Sequence, residues 1–291
     1  MKKPVFTGAC TALVTPFSNG KVDYSMLRKL LHRQMAAGIH AVVLCGTTGE
    51  APTLTDEEKL TIFQQAKEFT GDDCTIIAGT GSNSTQHALT LSRAAEEVGA
   101  DALLVVSPYY NKATAEGLLA HYTAVAGAVH IPVIAYNVPG RTGVDIPVEV
   151  YAQLAEIPNI AGVKEASSDI TKINRIRAAC PGDFSVWSGN DSMIVPVMAL
   201  GGQGVISVLS NLLPVETQAM AQAALDGDFD TAAALQIQLT PLIDLLFSEP
   251  NPIPVKAAME LLGLDCGSCR LPLTPLSSQN LQKLKQALSL Q

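Results

Sequence analysis

One lysine stands at the end of a run that otherwise reads as a buried strand, Ile160-Ala161-Gly162-Val163-Lys164-Glu165-Ala166-Ser167. Strand alternation puts Ile160, Gly162, Lys164 and Ala166 on one face, with Gly162 and Ala166 leaving space around the long stem of Lys164. Burial disfavours an ammonium, and a lysine kept from water becomes a nucleophile suited to Schiff-base chemistry on a carbonyl. The plainer alternative is a strand-end lysine that snorkels to water or pairs with Glu165. Three further stretches follow apolar runs in the same way: Gly46-Thr47-Thr48-Gly49-Glu50, Ser107-Pro108-Tyr109-Tyr110-Asn111 and Tyr136-Asn137-Val138-Pro139-Gly140-Arg141-Thr142-Gly143. The first offers backbone N–H groups and two hydroxyls to a carboxylate or phosphate, or is a tight turn with capping threonines. It lacks the lysine and the spacing of a P-loop. Tyr136 is placed to give or take a proton near a neighbouring strand's lysine, or to be an ordinary packing aromatic. Arg141, between glycines on a loop, offers a planar fork to an anion, the alternative being a solvated arginine. Tyr109 and Tyr110 read equally as packing beneath their loop.

These stretches need elements to position them. Short apolar runs recur at 7–14, 41–45, 75–78, 102–106, 133–136, 160–164, 184–187 and 205–208. About 20 to 30 residues separate them, most with helical periodicity, as expected of parallel strands joined by right-handed crossovers. Thr55-x-x-Glu58 reads as a capping box opening a helix whose Ile62, Phe63, Ala66 and Phe69 share a face and which Gly71 stops. Eight such units predict an α/β fold, a (β/α)8 TIM barrel over 1–225. Beyond it the alternation ceases, and 226–291 reads as a small C-terminal helical region. A barrel builds its site at the C-terminal ends of its strands, so all four stretches converge on one rim.

The 291 residues are 47% hydrophobic and 16% charged, with a net charge of -8 and a pI near 5.1. Scattered cations in an acidic chain argue against nucleic acid or an anionic membrane as partner and favour a small molecule. No apolar run approaches the ~20 residues of a membrane span and no secretory leader pattern opens the chain, so a cytoplasmic protein is expected. Cys10, Cys45, Cys74 and Cys180 are isolated among apolar or helical residues and read as small buried hydrophobes. Cys266 and Cys269 form a single C-x-x-C, which lacks the ligand count of a zinc site. No metal is expected.

Taken with Asn251-Pro252-Ile253-Pro254-Val255-Lys256, the four rim stretches resemble the class I pyruvate-dependent aldolase and lyase family along almost the whole chain. Within it they resemble the branch that condenses pyruvate with L-aspartate 4-semialdehyde to 4-hydroxy-tetrahydrodipicolinate, in the lysine (diaminopimelate) pathway. The resemblance implies that Lys164 forms an imine with pyruvate and that Tyr136 shuttles protons. Thr48 would link Tyr136 to Tyr110 in a hydroxyl relay, with Tyr110 handed into a neighbouring subunit's site. It further implies a homotetramer built as a dimer of dimers, and no metal or organic cofactor. Thr47 and Thr48 would hold the pyruvate carboxylate, Arg141 that of the aldehyde, and Gly189 and Ile206 would line the pocket. Feedback-inhibited relatives bind L-lysine at a dimer interface. Asn83 and Tyr109 match that site, but His87 replaces its glutamate, and Asp56 and Lys59 replace its histidines, with Asp56 a substitute acid expected to lie elsewhere in the pocket than His87. Competing readings are a sugar-acid lyase of the N-acetylneuraminate type, disfavoured by the cation at Arg141, and a non-catalytic oxo-acid-binding barrel.

Overall fold

The computed structural model describes residues 2–289. Eight parallel strands close a barrel in chain order: β1 (Gly8–Ala12), β2 (Ala41–Leu44), β3 (Thr75–Gly79), β4 (Ala102–Val106), β5 (Val133–Asn137), β6 (Ile160–Glu165), β7 (Ser185–Ser188) and β8 (Gly204–Ser207), with β8 pairing back to β1. Each falls within or beside an expected apolar run, because a strand buried on both faces carries apolar side chains at nearly every position. The crossover helices are α1 (Tyr24–Ala36), α2 (Asp56–Thr70), α3 (Thr85–Glu97), α4 (Ala115–Ala126), the single turn α5 (Pro139–Thr142), α6 (Val148–Ala155), α7 (Ile170–Ala179), α8 (Ile194–Ala199) and α9 (Pro214–Leu225). Side chains of Asp23, Ser84, Thr114 and Asp169 cap four of them, and Thr55 with Glu58 closes the expected capping box of α2. Ile62, Phe63 and Ala66 of α2 are buried, and Phe69 is partly so beneath the Arg28 guanidinium. Three further helices follow, α10 (Phe229–Leu246), α11 (Ile253–Leu261) and α12 (Ser278–Ser289). Sequence periodicity does not reveal the hairpin Phe17–Ser18/Lys21–Val22, whose two-residue strands are too short to show a period.

The core has two layers. Strand side chains such as Cys10, Ile77, Leu104, Ile134 and Trp187 fill the barrel, and a larger layer lies between strands and helices. The segment before β1 closes the N-terminal end. Phe6 stacks on Trp187 with centroids 5.1 Å apart and accepts its indole N–H at 3.2 Å, while Lys2 Nζ donates to the carbonyls of Ala155, Ile157 and Ile160. The opposite end is left for a site. Among the described residues no helix is long and apolar enough to cross a membrane.

Strand β6 departs from the alternation assumed above. Val133 of β5 pairs with Ile160, but Ile134 pairs with Gly162, so one extra residue enters β6 between them. Ile160 therefore packs outward against the helices and Ala161 inward, and after the bulge Val163 is outward, which leaves Lys164 inward. Ile160 and Lys164 do not share a face, because the bulge shifts the phase by one residue. Nor does Gly162 make room for the lysine stem. A Cβ there would lie 2.0 Å from the Ser185 carbonyl oxygen, so glycine is required by the close approach of β7. Gly162→Ala is expected to cost about 3 kcal/mol or more, since the clash is with backbone, and to lower Tm by roughly 6 °C or more. Calorimetry checks this, and an unchanged Tm would show that β7 yields easily.

Candidate active site

Lys164 and Tyr136 face each other across the β5–β6 pairing, in the register Tyr136↔Lys164. Both are buried, with Lys164 Nζ 4.3 Å from the Tyr136 ring centroid. Among the described residues the Lys164 side chain makes no hydrogen bond and no ion pair. The Glu165 carboxylate is not its partner, because alternation sends Glu165 to the outer face, where Asn137, Tyr151 and Ser167 donate to it. Room for the stem comes from Gly189, just beyond β7. A Cβ there would lie 2.6 Å from that of Ala166 and 3.2 Å from Lys164 Cε. Ile206, on β8, belongs to the inner layer.

Asp191 was not singled out in the sequence, although it follows Gly189 at the end of the seventh strand. Its carboxylate is buried, and Oδ2 accepts the backbone N–H groups of Val208 and Leu209, both at 3.0 Å. Burial pushes the Asp191 carboxyl above its ordinary value, against hydrogen bonds from Ser207 and that backbone and the charge of Lys164.

A cleft of about 720 Å³ opens at this rim. Tyr136, Arg141, Thr47 and Tyr109 line it, and it extends past the 46–50 turn to Asp56, Lys59 and His87. Arg141 is exposed and sits on the single turn α5 rather than on an irregular loop, because Pro139 and the backbone bonds to Val138 wind the segment. Thr48 is buried and does not cap the turn. Its Oγ1 accepts from Asn251 Nδ2 at 2.9 Å, and the Asn251 carbonyl accepts from Arg141 Nη2 at 3.3 Å. Tyr110 is 90% exposed with φ +74°. Among the described residues no hydrogen bond joins Tyr110, Thr48 and Tyr136, so a single chain leaves that relay open.

The 46–50 turn ends at Glu50, buried with φ +57° and paired with Lys256 Nζ at 2.7 Å. Arg270 donates its backbone N–H to Glu50 at 2.8 Å, and its guanidinium forks onto both oxygens of Glu58 at 2.8 and 2.6 Å. Lys256 and Arg270 each lie 4.3 Å from the Phe17 ring centroid. Asn251, Lys256 and Arg270 thus fasten the C-terminal segment to the rim. The sequence assigns no site role to these three, since Thr48, Glu50 and Glu58, which they fasten, lie more than two hundred positions away.

At the far end of the cleft Asp56 meets His87 Nε2 at 2.7 Å and Lys59 at 3.4 Å, and His87 Nδ1 is 3.1 Å from Ser82 Oγ. Asp56 therefore lies against His87 and not in another part of the pocket, as α2 and the start of α3 converge there. Despite some desolvation, His87 and Lys59 hold the Asp56 carboxyl below its ordinary value. Asn83 instead accepts from Asn111 Nδ2 through its carbonyl. Burial pushes the thiols of Cys266 and Cys269 up to about 12 and about 11, and both are free. No cluster of three metal-binding side chains occurs among the described residues.

The profile of the dihydrodipicolinate synthetase family matches residues 5–291. The chain is 49% identical over 288 residues to the 4-hydroxy-tetrahydrodipicolinate synthase of Acetivibrio thermocellus, covering 99% of this chain and 98% of that one. Its fold superposes with a TM-score of 0.95 on the chloride-inhibited dihydrodipicolinate synthase from Acinetobacter baumannii complexed with pyruvate, at 43% identity and 98% coverage of both chains. The enzyme of Cyanidioschyzon merolae with lysine bound gives 0.96 at 40% identity, covering 99% of this chain and 98% of that one.

The Arg270 fork lowers the Glu58 carboxyl below its ordinary value, its hydrogen bonds outweighing desolvation. A depressed carboxyl contributes stability that is complete above about pH 4.3 and is lost as pH falls through the lower folded value. Arg270→Gln should therefore cost about 1 kcal/mol at pH 7, roughly 2 to 4 °C in Tm, with the gap from wild type narrowing toward about pH 3. A gap independent of pH would show that the guanidinium acts only through packing on Phe17.

Proposed function

The chain belongs to the dihydrodipicolinate synthetase family, and from that premise we propose that Lys164 is the nucleophile with which it condenses pyruvate and L-aspartate 4-semialdehyde to 4-hydroxy-tetrahydrodipicolinate. The observation that supports Lys164 is its buried, inward side chain against the ring of Tyr136, which lines the cleft, with no ion-pair partner among the described residues. Its amine adds to the pyruvate ketone and water leaves, giving the imine. The imine nitrogen, once protonated, draws electrons from the methyl carbon, which loses a proton and becomes an enamine. The enamine carbon attacks the aldehyde and forms the new C–C bond. The amine of the semialdehyde then attacks the imine carbon, closes the ring and expels Lys164. One water is released overall.

Tyr136 is the group beside the imine that gives and takes protons in these steps, in series with Thr48 and with Tyr110 of a second subunit. The exposure of Tyr110 supports its donation to another chain, and hence a dimer as the working unit within a homotetramer. Thr47 and Thr48 receive the pyruvate carboxylate and Arg141 that of the semialdehyde, a charge-assisted contact that a sugar-acid lyase would not need. Gly189 and Ile206 shape the pocket. The family's imine chemistry needs no metal, and none is assigned here. A cytoplasmic location accords with this biosynthetic role.

Borohydride reduction in the presence of pyruvate tests the nucleophile. Wild type should gain a stable adduct at Lys164, and Lys164→Arg should gain none while keeping its fold, because arginine does not supply a neutral amine. An adduct on Lys164→Arg, or none on wild type, would refute the assignment.

The far end of the cleft bears on regulation. The carboxylate of Asp56 there is already engaged by His87 and Lys59, and Lys59 adds a cation where an effector ammonium would sit. A lost charged contact of about 1.5 to 3 kcal/mol is as large as a typical allosteric coupling of about 1 to 3 kcal/mol. L-lysine should therefore inhibit weakly or not at all. A rate titration checks this, and half-inhibition well below about 1 mM would contradict it.

A further inference from the structure

Behind the Tyr136–Lys164 pair, on the outer face of the same two strands, lies a buried polar cluster that the reaction above does not use. Asn137 and Glu165 each follow the reactive residue by one position, oppose one another in the β5–β6 register, and are buried. Asn137 Nδ2 donates to Glu165 Oε1 at 2.8 Å and Oε2 at 3.1 Å, and to Asp145 at 2.7 Å, while its Oδ1 accepts the Ile146 N–H at 3.0 Å. Glu165 accepts further from Tyr151 Oη at 3.0 Å and Ser167 N at 2.9 Å, and Lys172 lies 3.7 Å away, itself paired with Asp145. A carboxylate at this depth is tolerated because donors meet both of its oxygens.

None of these groups faces the cleft, so they reach the chemistry only through backbone. Fastening Asn137 to Glu165 fixes Tyr136 against Lys164 one residue earlier. The bonds of Asn137 to Asp145 and Ile146 hold the far end of the segment that carries Arg141. We infer that Glu165 and Asn137 are positioning residues, a lock that holds the rim ends of β5 and β6 in register so that the amine of Lys164 meets the pyruvate carbonyl beside Tyr136. The inference rests on Lys164 being the nucleophile. A displacement of about 1 Å at such a centre costs on the order of a hundredfold in rate.

Borohydride trapping with pyruvate on wild type comes first, since no adduct there removes the premise and not the lock. Glu165→Gln keeps the shape but turns an amide N–H toward groups that themselves donate. At saturating pyruvate it should slow trapping and kcat about tenfold or more, with KM for pyruvate within about threefold and circular dichroism unchanged. Asn137→Asp sets carboxylate against carboxylate and should also be slow. Wild-type trapping and kcat in a folded Glu165→Gln protein overturn the inference. Should Glu165→Gln not fold, Tyr151→Phe decides. It keeps the ring packed on Phe184 and deletes one donor to Glu165, so trapping slowed about two- to fivefold supports the lock and unchanged trapping overturns it.

Discussion

The close approach of Gly162 to the Ser185 carbonyl is the contact on which the placement of Lys164 depends. A regular strand that begins with Ile160 outward would carry Lys164 outward too, into the helix layer and away from the rim. The extra residue in β6 reverses the phase, and only a residue without a side chain passes β7 at that point. The inward direction of Lys164 follows from this one-residue shift. Its effect is the larger because side chains in a sheet have two directions and no intermediate one.

Around that shift the barrel separates two jobs by face. The inner face of β5 and β6 carries Tyr136 and Lys164, close together, and among the described residues no carboxylate pairs directly with the amine, as carbonyl chemistry on an amine requires. The outer face carries the ionic groups, Glu165, Lys172 and Asp145, held in mutual bonds. A carboxylate on the inner face would pair with the lysine and hold its proton. Placed where it is, the same group can only act on geometry.

Much of the scaffold is legible in the sequence because the physics that sets it is local. Eight apolar runs mark eight strands, Thr55 and Glu58 mark a helix start, and strand order alone brings Tyr136 beside Lys164. What is not legible is non-local or a matter of one residue. A bulge leaves no mark in an apolar run, so Ile160 was assigned to the wrong face and Gly162 to the wrong task. Asp56 was placed apart from His87 because the two sit on different helices, and only packing brings them to 2.7 Å. Asn251 belongs to a recognisable segment, but its bond to Thr48 spans 203 positions and no spacing rule reaches that far.

The fastening of the rim by Asn251, Lys256 and Arg270 also sets an order of events in synthesis. The eighth strand ends at Ser207, whereas Glu50 waits for Lys256 and Arg270, and Thr48 for Asn251. A buried carboxylate without its cation costs several kcal/mol, so the 46–50 turn has no reason to settle with Glu50 inward before those residues leave the ribosome. Each new molecule therefore acquires its lysine early and its finished rim late. A chain stopped between Ser207 and Arg270 would hold all eight strands and Lys164 without the settled 46–50 turn.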